Sequence, residues 1–255
     1  MGALHAGHRS LIDSARAASE FIVVSIFVNP MQFDRGEDLE KYPRTLEADV
    51  ALCSAAGVDI VFAPSAGEMY PEPPNCVVEV GRVANHLCGA FRPGHFRGVA
   101  TVVMKLLQIT LPDRAYFGEK DAQQLAVIRH LVSDFNVPVD IVGVPTVREA
   151  DGLALSSRNQ RLSPEQRRVA IALYEGLQEA KRQVSAGRTN VAEIREAAQR
   201  SVERHPDVRL EYLEIVEPNE MQPVAVVAGP VIAVGAMWVG TTRLIDNLLC
   251  TPPAS

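Results

Sequence analysis

The sequence predicts an α/β fold, a doubly wound parallel sheet with a smaller α+β domain after it, and three observations carry the prediction. Up to about Val147, amphipathic helical patterns alternate with short β-branched apolar runs, the signature of a parallel sheet covered by helices on both faces. Beyond that point two polar amphipathic helices are followed by a run of strands, which argues for a separate α+β module. The chain has 255 residues, 47% of them hydrophobic and 22% charged, enough for one large domain or two modest ones with ordinary cores.

The elements follow in order. Leu11, Ile12, Ala15 and Ala18 fall at helical spacing between Arg9 and Ser19, and Phe21 to Val28 reads as a buried strand. Thr45 is a candidate cap for a helix over Leu46 to Ala56, Gly57 suits its stop, and Val58 to Phe62 reads as the next strand. The Pro-rich stretch from Pro64 to Pro74 reads as irregular. A helix from Gly98 to about Leu111 is ended by Pro112, and a strand at Arg114 to Phe117 comes next. Asp121 opens a helix with Leu125, Ile128, Leu131 and Val132 on one face, followed by a strand at Val139 to Val142. The later part predicts helices over Pro164 to Ala186 and Val191 to Arg204, then strands at Val208–Val216, Val224–Val227, Val231–Val234 and Thr242–Leu248. The boundary is placed near Thr146, giving domains 1–146 and 147–255. That split predicts a cleft, since small-molecule sites favour domain interfaces and the carboxyl ends of parallel strands.

Composition narrows the function. Twenty-five Lys and Arg against thirty-one Asp and Glu give a net charge of −6, and the pI is near 5.6. No global basic field is available to gather a phosphate backbone, so no nucleic-acid partner is expected. Cys53, Cys76, Cys88 and Cys250 lie far apart with no C-x-x-C pair, suggesting neither a zinc site nor a redox dithiol. The most apolar stretch, Val224 to Val239, is cut by Gly229, Pro230 and Gly235 and reads as paired strands, so no membrane partner is expected. No basic patch precedes an apolar run at the N-terminus, and the expected location is cytoplasmic.

Three segments carry candidate chemistry. Met1-Gly2-Ala3-Leu4-His5-Ala6-Gly7-His8 sits just before the first helix. His5 and His8, three apart, share a face of the first turn, where unpaired N–H groups and the helix dipole favour phosphate. Ala6 and Gly7 leave the backbone bare, so a nucleotide can lie against it while two imidazoles reach charge developing on the α-phosphate. The plain structural alternative is a pair of surface histidines at a helix cap. Leu155-Ser156-Ser157-Arg158-Asn159, preceded by Val147-Arg148-Glu149, offers two hydroxyls and a guanidinium for phosphate, against the alternative of a capped turn before the Pro164 helix. Phe117-Gly118-Glu119-Lys120-Asp121-Ala122-Gln123-Gln124 follows a strand and opens a helix, where parallel α/β sheets place ligands. There Gly118 permits close backbone approach, Lys120 is a candidate phosphate cation and Gln124 a candidate substrate amide, with Asp121 as an ordinary N-cap on the plain reading. His86, His130 and His205 receive no role.

These motifs, together with Phe27-Val28-Asn29-Pro30-Met31-Gln32-Phe33, Tyr42-Pro43-Arg44-Thr45 and Arg92-Pro93-Gly94-His95-Phe96-Arg97-Gly98-Val99, resemble the pantothenate synthetase (pantoate–β-alanine ligase) family of the H-x-G-H nucleotidyltransferases. The matching blocks occur in the family's order over most of residues 1–160. The resemblance implies a Rossmann-like, nucleotidyltransferase-type sheet domain with a C-terminal domain closing over the active site. It implies that pantoate attacks the α-phosphate of ATP to give pantoyl adenylate and pyrophosphate, and that β-alanine then displaces AMP to give pantothenate. Position by position it assigns Met1, Gly2, Ala3, Leu4, His5, Ala6, Gly7, His8, Gly118, Glu119, Lys120, Asp121, Val147, Leu155, Ser156, Ser157 and Arg158 to ATP. Gln32 and Gln124 would hold pantoate, Gln32 also lying near β-alanine, with Asn29, Tyr42, Arg92 and His95 as pocket walls. His8 would be the proton donor, and His5, Lys120, Ser156, Ser157 and Arg158 would stabilise the pentavalent phosphorus and the departing pyrophosphate. ATP with Mg2+ on its phosphates and a homodimer are implied as well. Two rivals are another adenylyl-transfer enzyme on the same fold, such as an aminoacyl-tRNA synthetase, and a non-catalytic nucleotide-binding protein. The acidic pI opposes the synthetase, Gln32 and Gln124 oppose other adenylyltransferases, and the intact His, Lys, Ser and Arg set opposes loss of catalysis. The chain departs from the family's pattern at Met1, before which relatives carry a strand and a Pro-Thr. The expectation is that the natural protein begins upstream, since omitting a central strand leaves its neighbours' backbone groups unpaired.

Overall fold

The computed structural model describes residues 2–33, 39–40 and 42–253, and the chain divides into two units. The first comprises Met1–Asn85, Gly89–Glu119 and Val127–Val147, and the second His86–Cys88, Lys120–Ala126 and Arg148–Ser255. In chain order the elements up to Val147 are α1 (Ala6–Ala18), β1 (Val23–Ser25), α2 (Leu46–Ala55), β2 (Ile60–Phe62), α3 (Ala66–Met69), α4 (Cys88–Phe91), α5 (His95–Thr110), β3 (Arg114–Gly118), α6 (Ala122–Asp134) and β4 (Asp140–Val144).

Two parallel pairs organise the first unit. β1 runs beside β2 with Val23 opposite Ile60, and β3 beside β4 with Arg114 opposite Asp140. Each parallel pair needs a crossover, and α2 and α6 supply them. Ile12 and Ala15 of α1 bury against Ile22, Val24 and Ile26 from the β1 segment and Cys53 and Ala56 from the end of α2. Each large apolar side chain taken fully from water here contributes roughly 1.5–3 kcal/mol, so the helical spacing of Ile12 and Ala15 fixes which face of α1 turns inward.

Several expectations need correction. The strand expected over Phe21–Val28 is only Val23–Ser25, because its partner offers just three ladder residues before Pro64. Thr45 makes no side-chain cap to the backbone; its hydroxyl donates to the Asp49 carboxylate at 3.1 Å instead. The stretch 64–74, expected to be irregular, holds the single turn α3, because Ser65 and Glu68 cap each other's backbone N–H groups. α5 begins at His95, three residues before Gly98, since Gly94 at φ +79° makes the turn.

The second unit contains α7 (Pro164–Val169), α8 (Ala172–Ser185), α9 (Val191–Glu203), β5 (Val208–Val216), β6 (Val231–Val239) and β7 (Thr242–Cys250). The strands form an antiparallel sheet in the order β5-β6-β7, with α8 and α9 packed against it. Leu173, Leu177, Ile194, Leu213, Ile215 and Met237 lie in its core. The single helix expected over 164–186 is two, because the chain makes a turn at Ala170 and Ile171, where ψ tightens to −19° and −14°. Val224–Val227 is not a strand: its backbone is shared between Ile215, Thr189 and Val191 rather than given to one edge. β6 runs through Gly235, where a Cβ would lie 2.6 Å from Leu173 Cδ1, so that glycine admits a helix side chain instead of ending the strand.

In the first unit α5 lies against a 3-10 turn, Pro30–Gln32, through Gly98, where a Cβ would sit 2.2 Å from the Met31 carbonyl oxygen. Gly98→Ala is expected to cost about 1–3 kcal/mol, since backbone must move to relieve the overlap. Urea denaturation checks this: the midpoint falls with an unchanged slope, and an unaltered midpoint contradicts the packing described.

Candidate functional site

The first unit holds the histidine motif and the Gln32 turn. His5 is the N-cap of α1, its Nδ1 accepting from the Gly7 N–H at 3.1 Å, while His8 Nδ1 accepts from the His5 N–H at 3.3 Å. The ring centroids are 4.1 Å apart. A ring whose Nδ1 accepts a hydrogen bond carries its proton, when neutral, on Nε2, so the cap sets both imidazoles up as Nε2–H donors. The capping expected on the plain structural reading is present, and it is what orients the rings. Gly2 and Ala3, which precede them in the chain, are buried, and Tyr42 stands beside Gly2, edge-on to Phe33 with centroids 5.6 Å apart.

Gln32 closes the Pro30–Gln32 turn and is held at both ends. Asn29, 2% exposed, caps the turn and donates to Gln32 Oε1 at 3.2 Å and to the Gly98 carbonyl at 3.0 Å, with the Tyr70 hydroxyl on its own Oδ1 at 3.0 Å. The Gln32 carbonyl lies 3.1 Å from Arg92 Nη2 and 2.8 Å from His95 Nδ1, and Arg92 Nη1 meets His95 Nε2 at 3.2 Å. These distances close a consistent network if His95 carries its proton on Nδ1, donating to Gln32 and accepting from Arg92. With its Oε1 accepting from Asn29, Gln32 presents its amide N–H groups, donors suited to a hydroxyl or carboxylate oxygen. Arg92 is thus tied to the turn, and Asn29 and His95 are buried supports of Gln32. Gly118, at the end of β3, has open space where a Cβ would be, and Val147 is half-buried.

In the second unit a small open hollow is lined by Lys120, Ser156, Arg158, Asn159, Tyr174, Arg243 and Asp246 among others. Its frame is the Arg148–Asp246 pair. Arg148 meets Asp246 bidentately at 2.6 and 2.9 Å, donates to the carbonyls of Gly152 and Asn247, and stacks 4.6 Å over the Tyr174 ring. Asn247 donates from Nδ2 to the Lys120 carbonyl at 2.9 Å, fixing the 3-10 turn Glu119–Asp121 at that residue. Ser156 caps the 3-10 helix Ser157–Arg161 through the Arg158 N–H at 3.2 Å, and Asn159 ties it back to Glu149 and the Ala154 carbonyl. Arg167 braces Glu149 and Asp151 from outside, and its hydrogen bonds hold the Asp151 carboxyl below the usual carboxylate range. Arg243 is paired with Glu211 and lies 3.3 Å from Cys88 Sγ; burial opposes its charge, but those partners outweigh it and its pKa is raised. Gln124 is half-buried on α6, next to Gln123, whose amide is committed to the His86 carbonyl.

His5, His8, Asn29, Gln32, Tyr42, Arg92, His95, Gly118, Glu119 and Val147 belong to the first unit, and Lys120, Asp121, Gln124 and Leu155–Arg158 to the second. Met1 lies outside the described residues. Sequence reasoning missed Asp49, Asp246 and Asn247. The signal for the last two was present, a carboxylate and an amide inside the apolar run Leu244 to Leu249; Asp49 reads only as part of a polar helix start. Of the unassigned histidines, His86 is exposed and His205 pairs with Glu175 at 2.8 Å.

Residues 1–249 match the family model described as pantoate-beta-alanine ligase. A pantothenate synthetase of Heliobacterium modesticaldum is 51% identical over 249 residues, 98% of this chain and 89% of that protein. The crystal structure of pantothenate synthetase from Thermus thermophilus is 49% identical with a TM-score of 0.94, over 97% of this chain and 90% of that one. The pantoate-beta-alanine ligase of Francisella tularensis, solved in complex with beta-gamma ATP and beta-alanine, is 38% identical with a TM-score of 0.80, over 98% of this chain and 87% of that one. The chain spans about half the length of bifunctional pantoate ligase/cytidylate kinase relatives, 49% of that from Thermosynechococcus vestitus.

Asp246 is 7% exposed, so Asp246→Ala strands Arg148 without its counter-charge. Removing one partner of a buried pair is expected to cost about 3–5 kcal/mol, read as a lower denaturation midpoint. A loss within experimental error contradicts the framing role.

Proposed function

The chain belongs to the pantoate–beta-alanine ligase family, and from that premise we propose that it condenses pantoate with beta-alanine at the expense of ATP through a pantoyl-adenylate intermediate. The observation that carries the reading is the His5–His8 cap, two oriented Nε2–H donors at the N-terminus of α1, where phosphate is favoured. A pantoate carboxylate oxygen bonds to the α-phosphorus of ATP as the bond to pyrophosphate breaks. The amine of beta-alanine then attacks the acyl carbon, and AMP leaves with the original carboxylate oxygen.

A carboxylate is already a nucleophile, so the first step needs alignment and charge neutralisation more than a base. His8 donates a proton or hydrogen bond to the phosphoryl group undergoing attack, with His5 beside it. Lys120, Ser156, Ser157 and Arg158 take the charge that builds on pyrophosphate. Met1–Gly7, Gly118, Glu119, Asp121, Val147 and Leu155 contribute the remaining ATP contacts. Gln32 and Gln124 hold pantoate with neutral amides, which avoids pairing its reacting carboxylate with a fixed cation, and Asn29, Tyr42, Arg92 and His95 shape the surroundings of Gln32. Among the described residues no group of three or more His, Cys, Asp or Glu side chains is placed to hold a metal. A Mg2+ would be held by the phosphates of ATP itself, lowering the negative charge that Lys120, Ser156 and Arg158 face. We further propose residues 1–146 and 147–255 as the two domains, a cytoplasmic location, and a homodimer. Free thiols at Cys53, Cys76, Cys88 and Cys250 suit a reducing compartment, and exposed Phe21, Val23 and Ile60 suit a subunit contact.

Pantoate-dependent exchange of pyrophosphate into ATP is the test. His8→Ala and Lys120→Ala are each expected to lose about 10²–10³ in exchange rate while keeping the folded circular-dichroism spectrum, the usual cost of one preorganised donor. Wild-type exchange in either variant removes that residue from the step.

Gln124→Ala and Gln32→Ala are expected to raise the pantoate KM far more than the ATP KM, by roughly 5–150-fold for about 1–3 kcal/mol of unpaired substrate hydroxyl. Equal weakening for both substrates contradicts the placement.

A further inference from the structure

Where His5 and His8 point depends on the short stretch ahead of them, and one side chain outside every motif anchors it. Asp49, in the first turn of α2, is 3% exposed. Its Oδ2 accepts from the Ala3 N–H at 2.9 Å and its Oδ1 from the Leu4 N–H at 2.7 Å, while the Thr45 hydroxyl donates to Oδ1 at 3.1 Å. Ala3 is at φ +49°, in the left-handed region that a residue with a Cβ rarely adopts. Such a conformation persists only where its surroundings over-determine it, and two successive amides gripped by one carboxylate do so. Leu4 leads directly into His5, whose own N–H donates to His8 Nδ1. The chain of contact runs from Asp49 through two peptide groups to both imidazoles.

We propose that Asp49 is a positioning residue for adenylyl transfer, fixing the backbone that aims His5 and His8 without touching substrate. The inference rests on the role given above to those histidines. A carboxylate suits the task because each oxygen accepts one amide of a consecutive pair. An amide side chain in its place sets an N–H against an N–H.

Asp49→Asn tests this in the full chain by two readouts. Long-range 15N–1H spectra of the histidine rings without substrate are expected to show Nε2–H tautomers for His5 and His8 in the wild type. In the variant both should shift toward mixed tautomers while His130 and His205 stay. In pantoate-dependent exchange, kcat is expected to fall about 10–100-fold with both KM values within about threefold. Added to His8→Ala, the same substitution should cost less than about threefold, since the group it serves is already gone. A full loss in both backgrounds makes Asp49 a general fold residue and overturns the proposal, as do unchanged His5 and His8 ring signals. Thr45→Val, which removes one donor from the same carboxylate, covers failure of Asp49→Asn to fold: a smaller shift of the same two rings supports the proposal and none overturns it. A wild type that shows no exchange defeats the function proposed for the histidines, and the ring signals still decide whether Asp49 aims them.

Discussion

A carboxylate buried in a protein must have its oxygens satisfied by hydrogen bonds, and in this chain that constraint organises the chemistry in both units. Asp49 satisfies itself with two consecutive amides of the stretch that leads into the histidine motif. Asp246 does so with the fork of Arg148, whose remaining N–H groups reach the carbonyls of Gly152 and Asn247. In each case the buried carboxylate holds backbone, and that backbone carries or adjoins a side chain to which a role is proposed above. Unpaired, such a charge is costly to bury; paired, it leaves little freedom to the segments that pair with it.

The same economy recurs one step out. His5 and His8 spend Nδ1 on capping α1, which settles their tautomer; Gln32 spends Oε1 on Asn29; Ser156 spends its oxygen on the Arg158 N–H. His5, His8 and Gln32 are each oriented by local structure through one atom, and the chemistry proposed for them uses another; Ser156 accepts through a lone pair of Oγ, and the chemistry proposed for it uses the O–H of the same hydroxyl. Preorganisation of this kind is what transition-state stabilisation demands, since donors placed beforehand need no reorganisation during the reaction.

Much of this was legible in the sequence, for identifiable reasons. The α/β order was readable because Ile12, Ala15, Val24 and Cys53 follow the helix and strand periods that the core requires. His5, His8, Lys120 and the Ser156–Arg158 loop became candidates only together, because each segment alone also reads as an ordinary cap or turn and it is their combination in one chain that resembles the family's pattern. Lengths were less legible. β1 stops where β2 stops, which is a property of the partner, and Gly235 is a strand residue because Leu173 fills the space of its missing Cβ. Asp49 was invisible for a similar reason: an acidic residue in the first turn of a helix is ordinary, and only the fold brings Ala3 and Leu4 to it across 45 or more residues.

The central claim is that pantoate is activated on its carboxylate by the α-phosphorus of ATP. The most direct measurement is the fate of oxygen in the complete reaction, with pantoate labelled by 18O in both carboxylate positions and the nucleotide product examined by mass spectrometry. Attack by the carboxylate, followed by displacement by beta-alanine, requires one labelled oxygen to leave with AMP in each turnover. AMP free of label, or ADP with the label in inorganic phosphate, would contradict the account.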